Sequence, residues 1–568
     1  MAGTRIRSAT AASTSSRPCS ASAWNWEAAL NARAKPTGNR KPQARPLRIG
    51  IARAIGQTFE NWELLLIERL LSDRRFRLVS FLTGPAPHHT ARPGLLARTV
   101  ARIDNSLFAR QPAYRARRFE RARSSIVSIP LDETGENSDR HGLQLDLVLR
   151  HCEGALPETL TENLRFGIWS LSHVFTQSGP VNWEGMGDVA EGAPTSHLSL
   201  FIETARQPER RAIAEAEFNV KFSAARNNAF MKEKSVLLLV RELRRLAETR
   251  KLPKPLKAAD SVQPAAPPGL LTTGRYAAAL AKNVTQRALK SVRRASHQDT
   301  AVWTLYSGRG SIDDFDPSEA TEIPPTDTAI KADPFLFHHQ GKTYLFYENY
   351  GRGDTRAHIA VGEITRRGFE PIGIALGGDE HLSFPFVFKH GDEIFMMPET
   401  HQRKRIEIWR AVSFPLIWEP YSRALEGWSA ADSTLFHHRG QWWLFTNLSE
   451  HHAFEDHCSA LYAFQVDGPE LNRLVSHRRN PVVIGSATAR NGGRIFSRHR
   501  RLYRPAQYNA HGIYGYGLNI MEIEHLDMED YRETCVRRIL PDFKPGLSGC
   551  HHFDASGSRY ILDARLNA

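Results

Sequence analysis

Between residues 331 and 448 the chain writes one hydrophobic pattern three times: KADPFLFHHQGKTYLFYEN, LSFPFVFKHGDEIFMMPET and AADSTLFHHRGQWWLFTNL. Each copy alternates apolar and polar positions on both sides of a two-residue turn, which predicts a β-hairpin with one buried face. On a common frame Asp333 falls on Phe384 and Asp432, Phe337 on Phe388 and Phe436, and Glu348 on Glu399 and Asn447. Two looser copies follow, NGGRIFSRHRRLYRPAQ and GCHHFDASGSRYILDA, opening near Gly492 and Gly549. The steps between first positions are then 51, 48, 60 and 57 residues. Repeats of that size, each opening with a hairpin, predict an all-β five-bladed β-propeller over residues 301–568, with AVWTLY at 301–306 as the strand that closes the ring.

The frame also predicts where polar residues meet. Asp333 and Glu348 are equidistant from the Gln340–Gly341 turn, Phe384 and Glu399 from Gly391–Asp392, and Asp432 and Asn447 from Arg439–Gly440. Residues equidistant from a hairpin turn return beside each other. Asp333, Glu348, Glu399 and Asp432 are therefore expected at one mouth of the ring as catalytic carboxylates, with Asn447, Gln507, Arg490 and Arg504 as substrate-binding neighbours. Paired carboxylates on a rigid frame suit acid–base chemistry on a glycosidic bond. Trp442, Trp443, Phe384 and Tyr508 are expected to stack a sugar there. The His338–His339 and His437–His438 pairs fall at the hairpin turns and read as exposed turn residues, so no metal site is assigned.

Upstream the period changes. LRIGIARA, FRLVSFLTG, SIVSIPL, LDLVLRH and FGIWSLSHV read as strands, with NWELLLIERLLSD and LPETLTENL as helices among them. That alternation predicts an open, mostly parallel α/β sheet over residues 47–205. Residues 206–300 read as a helical segment, notably MKEKSVLLLVRELRRLAETR, and a Pro/Ala-rich linker. The chain is thus multidomain. Its formal charge of +14 is concentrated at the start, where residues 1–46 hold eight Lys/Arg against Glu27 alone. This Ser/Ala/Arg-rich tail has no apolar stripe and reads as disordered. ARQPAYRARRFERARSS at 109–125 is a second basic run, but no nucleic-acid recognition module accompanies it. No apolar run is long enough for a membrane helix, and cysteines without CxxC spacing fit a reducing cytoplasm.

Two resemblances add to these readings. DLVLRHCEGALPETLTENLRFGIWSLSH resembles the strand, helix and strand leading to the active site of the formyltransferase fold, which implies a formyltransferase-like α/β domain. Of that family's His, Asn and Asp, only His173 falls near the expected place, as a further substrate-binding residue. ADPFLF, SFPFVF, IFMMPE, EIWRA, FPLIWE, ADSTLFHHRGQWWLFTN and LYRPAQ resemble the arabinanase/xylosidase-type glycosidases. More closely they resemble the N-terminal domain of glucosamine inositolphosphorylceramide transferases and their bacterial relatives. The resemblance implies a glycan or sugar-containing small molecule as partner. The expected function is action on a glycan or glycoconjugate by transfer, modification or hydrolysis; no cofactor is named. Two alternatives stay open: a non-catalytic glycan-binding propeller on a degenerate formyltransferase-like domain, and formyl or acyl transfer to an amino sugar.

Overall fold

A computed structural model describes residues 45–566, apart from 56–58, 85–93, 109–125, 132–143, 153–155, 174–184, 257–267, 296–301, 324–327, 352–353, 355 and 450–455. The basic run at 109–125 and nearly all of the N-terminal tail lie outside the described residues.

The α/β half begins with β1 (Leu47–Ala54), α1 (Asn61–Ser72), β2 (Phe76–Gly84), α2 (Leu95–Phe108), β3 (Val127–Pro130), β4 (Leu147–Arg150), α3 (Glu158–Glu162), β5 (Ile168–Leu171) and α4 (Met186–Glu191). A capping box between Glu60 and Glu63 starts α1. Trp62, Leu66, Ile67 and Leu70 then bury one face of that helix against the sheet. The sheet order is β3-β2-β1-β4-β5-β6-β7, and every neighbouring pair from β3 to β5 is parallel. The last two strands, β6 (Thr195–Thr204) and β7 (Gln207–Asn219), form an antiparallel hairpin.

That hairpin corrects the expected boundary at 205/206, because β7 belongs to the sheet and not to a helical segment. Ala214, Ala216 and Phe218 face the core while Glu215 and Glu217 alternate with them. Alanine's helix propensity hid this two-residue period. The helix itself, α5 (Ala224–Thr249), starts at Ser223, whose hydroxyl accepts the Arg226 amide at 3.2 Å, and ends at Arg250 in the left-handed region. A long helix α6 (Leu270–Ala295) follows.

The β half opens with β8 (Val302–Arg309), which pairs over eight residues with the last strand, Arg559–Leu566. Among the described residues its strands form four sheets: one of nine strands and three of four, five and four. The nine-stranded sheet contains both the first and the last copy of the repeat, joined through one parallel pair, Ile330 with Trp303. Core clusters sit between consecutive copies. Phe337 and Val361 pack on Val387 and Met396; Phe388 and Phe395 on Leu444 and Phe464; Phe436 and Phe445 on Ile523 and Tyr531. Tyr503 and Ile520 then pack with Phe553 and Tyr560, while Ile561 and Leu305 pack back on Leu336 and Leu345 of the first copy. The frame phenylalanines are therefore the residues that pack copy against copy.

Helix α5 is buried on nearly every side because both halves wrap it. Just before its start, Asn219 links the halves: its side chain donates to the Ile513 carbonyl at 3.0 Å and accepts the Gly512 amide at 2.7 Å. Gly485, at φ +128°, lies so close to the Glu217 carbonyl that a Cβ would meet it at 2.9 Å, so the seam needs a glycine there. Lys234 of α5 pairs with Asp456 at 3.2 Å. Burial works against ionising that acid, but Lys234 and Lys221 hold it down to about 2 from an ordinary 3.8. Because the folded value is depressed, the stabilisation is complete above about 3.8 and is lost as pH falls through about 2. Asp456→Asn is expected to cost about 2 kcal/mol at neutral pH, measured by urea unfolding, and to remove this part of the acid dependence.

Candidate functional site

Two-residue turns fix the register of the hairpins. Gln340–Gly341 and Arg439–Gly440 both have positive φ at both residues, as a type I′ turn requires. The returning strand then places Glu348 opposite Ala332, Glu399 opposite Ser383 and Asn447 opposite Ala431. This is one residue short of the expected pairing. In each copy the ladder shifts just after that pair, and the next residue, Asp333, Phe384 or Asp432, takes φ of 50°, 46° or 48°. Aspartate tolerates the left-handed region; a phenylalanine there is an outlier, held by packing against Phe335 and His552.

The bulge frees a buried amide from the ladder, and a side chain of the neighbouring copy takes it. Asp563 accepts the Asp333 amide at 3.2 Å, and Asp333 accepts the Phe384 amide at 3.2 Å. Glu399 accepts the Asp432 amide at 3.3 Å, and Asn447 accepts the Asn491 amide at 2.9 Å. These bonds bring the first positions of distant copies together.

The resulting cluster holds all four expected carboxylates. Arg490 donates to Asp432 at 2.6 and 3.4 Å and lies 3.7 Å from Glu399, while Gln507 donates to Asp432 at 3.2 Å. Glu348 contacts His381 at 3.1 Å, and Glu399 contacts His401 at 2.8 Å. The environments push neighbouring acids apart. Burial raises Asp432 well above its usual range, and the charges of Glu399 and Asp333 add to it against the pull of Arg490. Burial and Asp333 likewise raise Glu348, against His381. Glu399 goes the other way: burial opposes ionisation, but His401 and Arg490 overcome it and hold the carboxyl well below normal. Arg490 also lies over the Tyr514 ring, 5.1 Å from its centre.

Three expected binding residues belong elsewhere. Arg504 is fully buried in its own copy, where it pairs with Glu533 and donates to the Thr488 carbonyl at 2.7 Å and Asn491 at 3.2 Å. It sits three positions from Gln507, so the two side chains leave opposite faces of strand Arg501–Ala510. Asn447 is spent on architecture, donating to the Ala460 and Ala489 carbonyls, both at 2.9 Å, besides accepting Asn491. His173 lies in the α/β half, edge-on to Trp62 at 4.9 Å, and burial depresses its pKa well below normal. Near it Glu63 holds His151 at 3.1 Å and Arg53 at 3.3 Å. The stacking aromatics differ too: Trp442 sits by the hairpin turn against His437 and His390, and Phe384 and Trp443 are buried in packing. Tyr508 stacks beneath Arg538, 3.9 Å away.

The residues the sequence reading missed come mainly from the fifth copy. His551 lies 2.7 Å from Asp563 and 4.0 Å from Asp333, and stacks on Trp303 at 4.2 Å; His552 is 3.5 Å from Asp333. A signal existed. Asp563 lies in the later part of the second strand of its hairpin, as Glu348 and Glu399 do, and His551–His552 sit just after a first position rather than at a turn. Asp333, His551 and Asp563 offer ligand atoms within 4.8 Å of one another and could hold a metal ion. Burial pulls His551 down, yet Asp563 and Asp333 raise it to about 9, so at neutral pH the ring keeps its proton and a metal would have to displace it.

With this geometry in view, residues 319–551 match the family described as glucosamine inositolphosphorylceramide transferase 1, N-terminal. That match assigns a domain and not the whole chain. Glucosamine inositolphosphorylceramide transferase 1 of Oryza sativa subsp. japonica is 36% identical over 233 residues, which are 39% of this chain and 31% of the relative. The Arabidopsis thaliana protein of the same name is 36% identical over 232 residues, 39% of this chain and 30% of its own length. The chain thus spans under a third of these relatives. Among solved structures, a Cellvibrio cellulosa α-L-arabinanase mutant aligns with 42% of this chain and 88% of its own at 15% identity and a TM-score of 0.32. A family 117 glycoside hydrolase of Zobellia galactanivorans aligns with 47% of this chain and 89% of its own at 11% identity and a TM-score of 0.30. The matched family segment lies outside the α/β half, so the formyltransferase-like reading gains no support from it.

If Asn447 is architectural, Asn447→Leu should lower unfolding free energy by about 3 kcal/mol, since two carbonyls and one amide lose their partner in a buried place. Urea denaturation of the purified variant measures it.

Proposed function

We propose that the chain is a carbohydrate-active protein that works on a sugar conjugate at the carboxylate cluster, and that the β half is a five-bladed propeller. The cyclic series of packed faces, from first copy to last and back, supports the blade count. One observation carries the functional reading: carboxyls from separate copies meet in a single buried cluster with opposite proton preferences. Cleaving or forming a glycosidic bond needs one carboxyl that releases a proton and one that stays ionised. Glu348, raised by burial and partnered by His381, suits the first role. Glu399, held ionised by His401 and Arg490, suits the second or the stabilisation of positive charge on a sugar ring. Asp333 bridges the two groups by holding the Phe384 amide while facing His552. The relatives' names combine glucosamine with an inositol phosphate headgroup, so amino-sugar and inositol-phosphate conjugates are the first substrates to try.

A second reading has its own support. Asp432 is clamped by Arg490 and Gln507, an arrangement that suits a fixed binding surface better than proton transfer. Turnover assays on such conjugates, run beside glycan-array binding, separate the two. In the catalytic reading Glu348→Gln and Asp333→Asn each lower turnover about 100-fold or more with the fold intact by circular dichroism. Array binding that both variants retain, with no turnover by the parent protein, assigns the cluster to recognition alone.

A further inference from the structure

Helix α6 has two faces, and the protein uses only one. On the packed side Tyr276 is fully buried, donates to Asp104 at 2.7 Å and accepts the Ala224 amide at 2.9 Å, and Asn283 donates to the Phe222 carbonyl at 3.1 Å. The other side carries a stripe of small and apolar residues with almost no charge. Residues 271, 274, 278, 281, 285, 288 and 292 repeat at alternating three- and four-residue steps, are Leu, Gly, Ala, Ala, Thr, Ala and Val, and are all exposed. Leu271 and Val292 of this stripe and Leu289 beside it are 68%, 66% and 54% accessible. Such spacing normally marks a face that something covers.

Charge says what covers it. Over its 26 residues α6 has Arg275, Lys282, Arg287, Lys290, Arg293 and Arg294 and no acid. Two copies of this helix packed together would oppose like charges, and an all-cationic sequence beside an apolar stripe fits the boundary between anionic headgroups and acyl chains. Helix α2, packed beside α6, adds exposed Leu96, Ile103 and Leu107. No helix among the described residues is long and apolar enough to cross a membrane, so the mode is lying on the surface.

We infer that α6 is a membrane-docking helix that seats the protein on an anionic lipid surface through its exposed stripe. The inference is independent of the carboxylate cluster and stands or falls without it. Co-sedimentation of the full chain with vesicles is the test, comparing pure phosphatidylcholine with a mixture holding about three parts in ten phosphatidylserine. The expected result is binding to the anionic vesicles that weakens with salt. The triple variant Leu271→Ser/Leu289→Ser/Val292→Ser should weaken it roughly tenfold, while leaving the basic N-terminal tail and the folded core untouched. Arg275→Gln/Lys282→Gln/Lys290→Gln should flatten the salt dependence. Equal binding to neutral vesicles, no binding at all, or binding that the apolar triple variant retains in full overturns the proposal. So does a concentration-dependent dimer in sedimentation velocity that the apolar triple variant dissolves, which would give the stripe to a second copy of the chain.

Discussion

The β half depends on what happens to a backbone amide when a strand breaks step. At Asp333, Phe384 and Asp432 the ladder shifts by a residue, and a buried N–H is left without a strand partner. An unsatisfied amide in that setting is costly. Asp563, Asp333 and Glu399 each accept the amide of the following copy, and Asn447 does the same for Asn491. The same atoms that satisfy these amides therefore gather negative charge where the copies meet. That explains why the acids are buried, and why Arg490, His381, His401 and His551 gather around them. Structure and chemistry share one set of side chains here, so each carboxylate has to be judged by which of its oxygens is already engaged.

Judged in that way, the members of the cluster are unequal. Asn447 has every polar atom committed to backbone, and it replaces an acid where a charge would have to be buried at the cost of those bonds. Glu399 splits its oxygens, one towards His401 and one towards the Asp432 amide. Glu348 takes no amide of the neighbouring copy among the described bonds and touches a partly exposed histidine. Opposed proton preferences within one cluster arise from this division of labour, with burial pushing all the acids up and local cations selecting which come down.

Much of this was legible in the sequence, for a physical reason. The hairpins are written in two-residue alternation around glycine-containing turns, and turn geometry fixes register, so Asp333, Glu348, Glu399 and Asp432 could be brought together from spacing alone.

 
The pairing of Glu348, Glu399 and Asn447 missed by one residue because a bulge leaves no mark in the hydrophobic pattern. Arg504 was misplaced because a looser copy gives no local cue to which face of the strand a side chain takes, and its partner Glu533 lies in the next strand but one. His551 and Asp563 went unread because their copy aligns on few letters. In the α/β half, β7 was hidden by alanines that favour a helix in isolation and take a strand when a neighbour offers a ladder.

Helix α5 carries a practical consequence. Its sides are claimed by the parallel sheet on one hand and by the β half on the other, with Leu237 packed against the cores of both. A gene cut at the Pro/Ala-rich stretch after it would strand that helix with one fragment and leave the other with a bare apolar socket. The divide that looks natural on paper is therefore not a seam along which the molecule comes apart, and fragments made there invite aggregation rather than two tidy products.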